Sequence, residues 1–319
     1  MITPLALAAA VAVGQVSVSV SVSATFDTLK MTCVSSGTSG NYFVAGLESG
    51  QVKVMDSAKK ESIATVNAFE GAVQGAAISP DGGTLVAGDD LGRLYLCKVK
   101  GGERLLTYPR DKGHSRGIQT IAFSPSGRQF ATIARDDSLR VWNKAGGDPV
   151  AIVNGDGANF YGLAYSPAGS IYVGTLSEGI RVYSASGSLA ATLRNPTGEG
   201  GNFFAMDRGG KIGLSCGRSG RVYVWDLKTR KYRGVLEGHE DYVKGAAVSP
   251  NGRVGATSSS DGTVKIWDLT KLKCLGTYHD MATPCPLTFT PNGKFLAAAN
   301  AGDSMQIFSV TPAQGASKD

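Results

Sequence analysis

Charged side chains make up only 18% of this sequence, and apolar residues at helical spacing are nearly absent. The second absence argues against helix bundles and α/β folds, whose helices would show a 3.6-residue period. Histidine occurs only at His114, His239 and His279, and the five cysteines include no C-x-x-C pair. A zinc centre therefore lacks its ligand clusters, and no metal is expected. Cys33, Cys97, Cys216, Cys274 and Cys285 are scattered, mostly inside apolar strand patterns such as LYLCKV and GLSCGR. They read as small hydrophobes of a chain kept in a reducing compartment, and a cytoplasmic location is the expectation.

The sequence also lacks G-x-x-x-x-G-K-S/T, G-x-S-x-G, H-E-x-x-H and the calcium-loop pattern. With them go the phosphate cradle, the nucleophile elbow and the zinc-protease helix. The glycine-rich pieces GDGANFYG and GEGGNF precede no helix whose N-terminus could meet phosphate, so their glycines are assigned to turns. No catalytic residue, cofactor or small-molecule substrate is expected. Residues 1–15 contain an apolar run too short to span a bilayer and carry no Lys or Arg, so they are expected to be an N-terminal extension and not a signal peptide or membrane span.

What the sequence does have is 43 glycines and a recurring pattern of short apolar runs. The stretch from Leu236 to Lys273 shows the unit most fully: Gly238-His239, then Ser249-Pro250-Asn251-Gly252, then Ser260-Asp261-Gly262, then Trp267-Asp268. Each group is a turn or anchor signal, and the runs between them have strand length. Equivalents of Trp267 fall at Met55, Cys97, Trp142, Tyr183, Trp225, Trp267 and Phe308, at steps of 42, 45, 41, 42, 42 and 41. Each ends a run such as VKVM, LYLC, LRVW, IRVY, VYVW or MQIF. A second marker lies some 17 residues upstream in most units, at Ser79-Pro80, Ser166-Pro167, Ser249-Pro250 and Thr290-Pro291. Two independent markers in phase define seven repeats.

The seventh repeat supplies only three strands, CPLTFTP, KFLAAAN and SMQIFSV. Residues 15–24 alternate polar and apolar strictly, Val with Ser from 16 to 23, the signature of a half-buried strand. The Val16 to Val22 strand is therefore expected to complete the last repeat and remove an open edge. The chain divides into an extension (1–15), a repeat domain (16–310) and a tail (311–319).

The order of G-H and W-D at this period resembles the WD40 repeat. The resemblance implies an all-β, seven-bladed WD40 β-propeller closed by the N-terminal strand, its strands lettered a to d outward from a central channel. It implies a His–Ser/Thr–Asp–Trp network wherever the residues are kept. These are His114, Thr132, Asp136 and Trp142 in blade three, and His239, Thr257, Asp261 and Trp267 in blade six, both at separations of 18, 4 and 6. Histidine, aspartate and a hydroxyl also compose a catalytic triad. A constellation recurring at equal spacing within a repeat behaves as a fastener. Ser49, Leu91, Ser177, Ser219 and Gly302 replace the aspartate elsewhere, so the other five blades are expected to rely more on packing.

By the same resemblance, partners meet the rim formed by the loops before strand a and between strands b and c. Counting from the anchors places Glu48, Gln74, Asp90, Gln119, Arg135, Tyr161, Asn202, Arg218, Tyr242 and Lys244 on this upper face. The opposite face collects basic residues in the c–d turns, among them Lys98, Lys100, Lys228, Arg230, Lys231 and Arg233, and the formal net charge is +6. The expected function is a non-catalytic scaffold holding other proteins in a larger complex. The alternative is a nucleic-acid-associated, ribonucleoprotein propeller that uses the basic face.

Overall fold

A computed structural model describes residues 18–27, 31–36, 42–56, 58–59, 61–109, 111–279, 284–300 and 304–312. The expected extension 1–15 and residues 313–319 of the tail lie outside them. The described strands form seven four-stranded antiparallel sheets, each one blade. Blade one is built from Met31–Ser36, Tyr42–Leu47, Gln51–Asp56 and Glu61–Asn67, and the next five repeat this succession. Blade seven takes Pro284–Phe289, Phe295–Asn300 and Ser304–Pro312 from the end of the chain and Val18–Asp27 from its start.

This fourth strand closes the ring. It pairs antiparallel with Ser304–Pro312, Val18 opposite Pro312 and Val22 opposite Phe308, with a bulge before Ala24. Both strands run further than the Val/Ser alternation suggests, since pairing continues through Asp27 and Ser304. Backbone groups left open on either strand are satisfied by the other, so the last blade has no unpaired inner seam.

Burial explains the sequence pattern of each strand position. Strand b lies in the middle of a blade with a neighbouring blade against each face, and it is buried at nearly every residue, as in QFATIA and VGATSS. A strand covered on both faces has no reason to alternate. Strand d faces water and alternates or turns polar, as in ESIATVN. The seven anchors Met55, Cys97, Trp142, Tyr183, Trp225, Trp267 and Phe308 are all buried. The core is accordingly divided into clusters between adjacent blades. One joins Phe43 and Met55 of blade one to Met305 and Ile307 of blade seven, and another joins Leu214 and Val224 of blade five to Trp267 of blade six.

The Ser-Pro marker has a local cause. The side chains of Ser79, Ser124, Ser249 and Thr290 accept hydrogen bonds from backbone N–H groups five residues on, at 2.9–3.2 Å, and so fix the a–b turn. The following proline sets φ at the turn's first corner. Blade five lacks the marker, and the buried Asp207 carboxylate accepts from the Lys211 and Ile212 amides instead. Along the channel, hydroxyls stitch strand a of blade one to that of blade two and blade three to blade four: Ser35 donates to Ala76 O at 2.7 Å and Thr120 to Tyr161 O at 3.1 Å, and Thr32 bonds Val73 O likewise.

Candidate functional site

Two side-chain networks hold the upper loops in place. In blade three the Trp142 indole N–H donates to Thr132 Oγ1 at 2.9 Å, and Thr132 Oγ1 lies 2.7 Å from His114 Nε2. His114 Nδ1 meets Asp136 at 3.0 Å. Blade six repeats this through Trp267, Thr257, His239 and Asp261, each contact at 2.7 Å. An indole can only donate, so the threonine hydroxyl accepts from it and spends its own proton on Nε2; the imidazole proton then sits on Nδ1 and goes to the aspartate.

Each aspartate also receives a backbone amide from the residue after the histidine, Ser115 or Glu240, and a hydroxyl from Ser138 or Thr263. Burial disfavours the charge on both carboxyls, yet these hydrogen bonds outweigh it. Asp136 is held well below the carboxylate range, and Asp261 is lowered to about 2. Burial pulls both imidazoles below the ordinary histidine value despite their acidic partners, so both are neutral at pH 7. His114 and Thr132 are sealed from solvent, and no reacting group could approach their polar atoms. The constellation is a clamp.

Two of the remaining five blades, two and five, are not left to packing alone. In blade five Trp225 donates to Ser215 Oγ at 2.9 Å, and the buried Asn195 amide oxygen accepts from that hydroxyl at 3.4 Å where the full network would have histidine. In blade two the buried Asp89 carboxylate takes the Leu91 and Arg93 amides and the Arg93 guanidinium. The spacing rule misses both because different residue types perform the task.

At the centre, the a strands surround a channel of about 1050 Å³ whose upper mouth is lined by Gln74, Gln119, Arg135, Tyr161, Tyr242 and Lys244. Three half-buried aromatic rings from consecutive blades form an arc there: Tyr161 and Phe203 are 6.3 Å apart between centroids, and Phe203 and Tyr242 6.1 Å. Gly162 permits the approach, because a Cβ on it would meet Phe204 N at 2.5 Å. Asn202 is buried and donates to the Tyr242 hydroxyl at 3.0 Å, so it positions Tyr242. Gln119, its amide nitrogen turned toward the backbone, donates to Phe160 O and Ala134 O and ties blades three and four together. Glu48, Asp90, Arg135 and Arg218 are exposed around the rim. Counting from the anchors does not single out Phe203, although it adjoins Asn202.

Residues 102–143 and 230–268 match the family profile described as WD domain, G-beta repeat. These segments end in the blades that carry the complete networks. The chain is a WD40-repeat propeller. It is 25% identical to the periodic tryptophan protein 2 homolog of Dictyostelium discoideum over 215 residues, covering 65% of this chain and 23% of that protein. It is 31% identical over 129 residues to a guanine nucleotide-binding protein subunit beta of Arabidopsis thaliana, covering 40% and 34% respectively. Against the serine-threonine kinase receptor-associated protein of Gallus gallus it is 33% identical over 84 residues, 26% of this chain and 23% of that one. The chain thus spans about a quarter to a third of the length of these relatives.

The lower side of this WD40 propeller differs from the expected cluster of turn lysines. Lys228 and Arg230 occupy the c–d turn of blade five, but Lys231 and Arg233 belong to its strand d, because pairing continues to Asp226 opposite Lys231 and leaves a tight turn. Lys98 ends strand c of blade two and pairs with Glu103 at 2.6 Å, which neutralises it, while Lys100 stays exposed in the turn. Lys59 and Lys144 are paired with Glu61 and Asp81. Lys228, Arg230, Lys231 and Arg233 are exposed and form no ion pair among the described residues. Four exposed cations therefore lie close in sequence at the lower outer edge of blade five, beside Asp226. No helix among the described residues is long and apolar enough to cross a membrane.

Proposed function

We propose that this chain is a non-catalytic scaffold that joins other proteins into a larger assembly, with the upper channel mouth as the main docking surface. WD40 propellers generally serve as non-catalytic scaffolds. The observation that carries the reading for this chain is the arc of Tyr161, Phe203 and Tyr242. Three half-buried aromatics sit on a ring of hydrogen-bonded sheets, beside Arg135 and Lys244 in the same recess. Aromatic and arginine side chains dominate interface energetics, and a rigid frame lowers the entropy lost on binding. One relative is named for association with a serine-threonine kinase receptor and another for interaction with p21-activated protein kinase, which supports a role in protein contact. A reducing, cytoplasmic setting is part of the proposal; its support is that Cys97, Cys216 and Cys274 form no disulfide among the described residues.

The test is affinity purification from the native source of the wild type and of the Tyr161→Ala/Tyr242→Ala variant. Partners recovered in fixed ratio with the wild type and lost from a folded variant support the reading. A variant that keeps every partner sinks it. A second reading, a nucleic-acid-associated propeller, is favoured by the unpaired cations of blade five. It requires recovery that is nuclease-sensitive and falls steeply with salt, and loss of that recovery when Lys228, Arg230, Lys231 and Arg233 are changed to Ala.

A further inference from the structure

We propose that the channel mouth takes an acidic linear peptide, in which Asp or Glu side chains flank an apolar one, and that blades three to six select it. This rests on the reading of the mouth as a protein-docking surface and adds the chemistry of the occupant. The charged side chains that line the upper recess are cations. Arg135 on blade three and Lys244 on blade six line the recess itself, and exposed Arg218 on blade five lies within electrostatic reach of the Tyr242 hydroxyl. The carboxylates Glu48 and Asp90 stand on blades one and two. Two acids of the basic sector next to the arc accept backbone amides: Asp241 takes the Tyr242 amide at 2.6 Å, and Asp137, two residues after Arg135, takes the Gly157 and Phe160 amides at 2.8 and 3.2 Å.

The aromatic arc lies inside the basic sector, so an apolar side chain packed on the arc brings its neighbours within reach of the cations. A carboxylate on either side of it is the complement. Arginine offers a fork that matches a carboxylate in two hydrogen bonds, which a bare ammonium does not. A single-stranded nucleic acid fits less well for two reasons. The rings are tilted to one another by 57° and 46°, so they make a curved wall and not a stack of parallel faces for successive bases. A backbone charged at every nucleotide would also have to cross the sector of Glu48 and Asp90, whereas a peptide can place neutral residues there.

The experiment is fluorescence anisotropy with three labelled probes: a short synthetic peptide with a Glu-Leu-Glu-Phe-Glu core, its counterpart with Lys for every Glu, and oligouridine. The wild type should prefer the acidic peptide over the lysine counterpart by about tenfold or more, and the preference should shrink with added salt. Arg135→Glu/Arg218→Glu alters two exposed side chains, so the melting temperature should hold while the preference inverts. Tyr161→Ala/Tyr242→Ala should weaken both peptides. Equal affinity for the two peptides overturns the proposal, as does a preference unmoved by charge reversal, or binding of oligouridine in place of either peptide. The docking reading is separable. If Tyr161→Ala/Tyr242→Ala loses its native partners but the acidic peptide is not preferred, only the peptide chemistry fails; if the variant keeps its partners, both fail.

Discussion

Asn202 Nδ2 donates to the Tyr242 hydroxyl at 3.0 Å, joining residues 40 positions apart across the junction of blades five and six. The bond holds one ring of the aromatic arc in place from a side chain that is itself buried. Asn202→Ala should cost roughly 1–3 kcal/mol, the range for removing a partner from a buried polar group. Tyr242→Phe removes the same bond from the other side. Chemical denaturation of both single variants and the double variant should show non-additive losses; strict additivity would mean that the two side chains do not support one another.

Trp267 is buried and donates to Thr257, so Trp267→Ala should destabilise by roughly 3–5 kcal/mol. Lys271→Ala, at an exposed turn position, should change stability by less than about 0.5 kcal/mol. The comparison is made by urea denaturation midpoints. Equal midpoints would show that the blade-six clamp contributes nothing.

Stability should fall in two acid steps. His114 and His239 have lowered folded-state values, so below about pH 6.5 the unfolded chain binds more protons than the fold does, and stability declines from there. Asp136 and Asp261 are also lowered. Their stabilising charge is fully present above the unfolded value near 3.8 and is lost as pH falls through the folded one, about 2 for Asp261. Thermal melts between about pH 7.5 and 4.5 should show the first step. In His114→Asn/His239→Asn the protein should be less stable at pH 7 and the slope shallower; an unchanged slope would place the titrating groups elsewhere.

Removing residues 1–27 deletes the outer strand of blade seven and uncovers the edge of Ser304–Pro312. Such an edge recruits other chains. Light scattering with size-exclusion chromatography should show oligomers and aggregates. A truncated chain that stays monomeric with an unchanged melt would mean that ring closure by this strand is dispensable.

The repeat, the number of blades and the position of every anchor were legible in the sequence because each is a local matter. A strand needs its apolar period, a turn needs its Ser, Pro or Gly, and seven copies at steps of 41 to 45 residues leave one architecture that buries them all. The missing strand at one end and the extra one at the other announced the closure in the same way. The two clamps could be read from spacing too, since the geometry of the repeat fixes which positions meet.

Other features depend on what lies across a blade junction or a strand register, which no local pattern states. Phe203 joins the aromatic arc at the mouth only because Gly162 lets blade five press against blade four. Asn202 counts as a rim residue by position but is drawn inward by Tyr242, and Lys231 and Arg233 leave the turn because strand pairing runs one step further than the charge pattern shows. Asn195 and Asp207 replace residues of a different type because a buried hydroxyl or a row of turn amides accepts any acceptor that reaches it. The sequence by itself determined the frame, through periodicities satisfied within each repeat. Only the tertiary structure decided the character of the mouth, because its rings and charges come from different blades and meet only once the ring has closed.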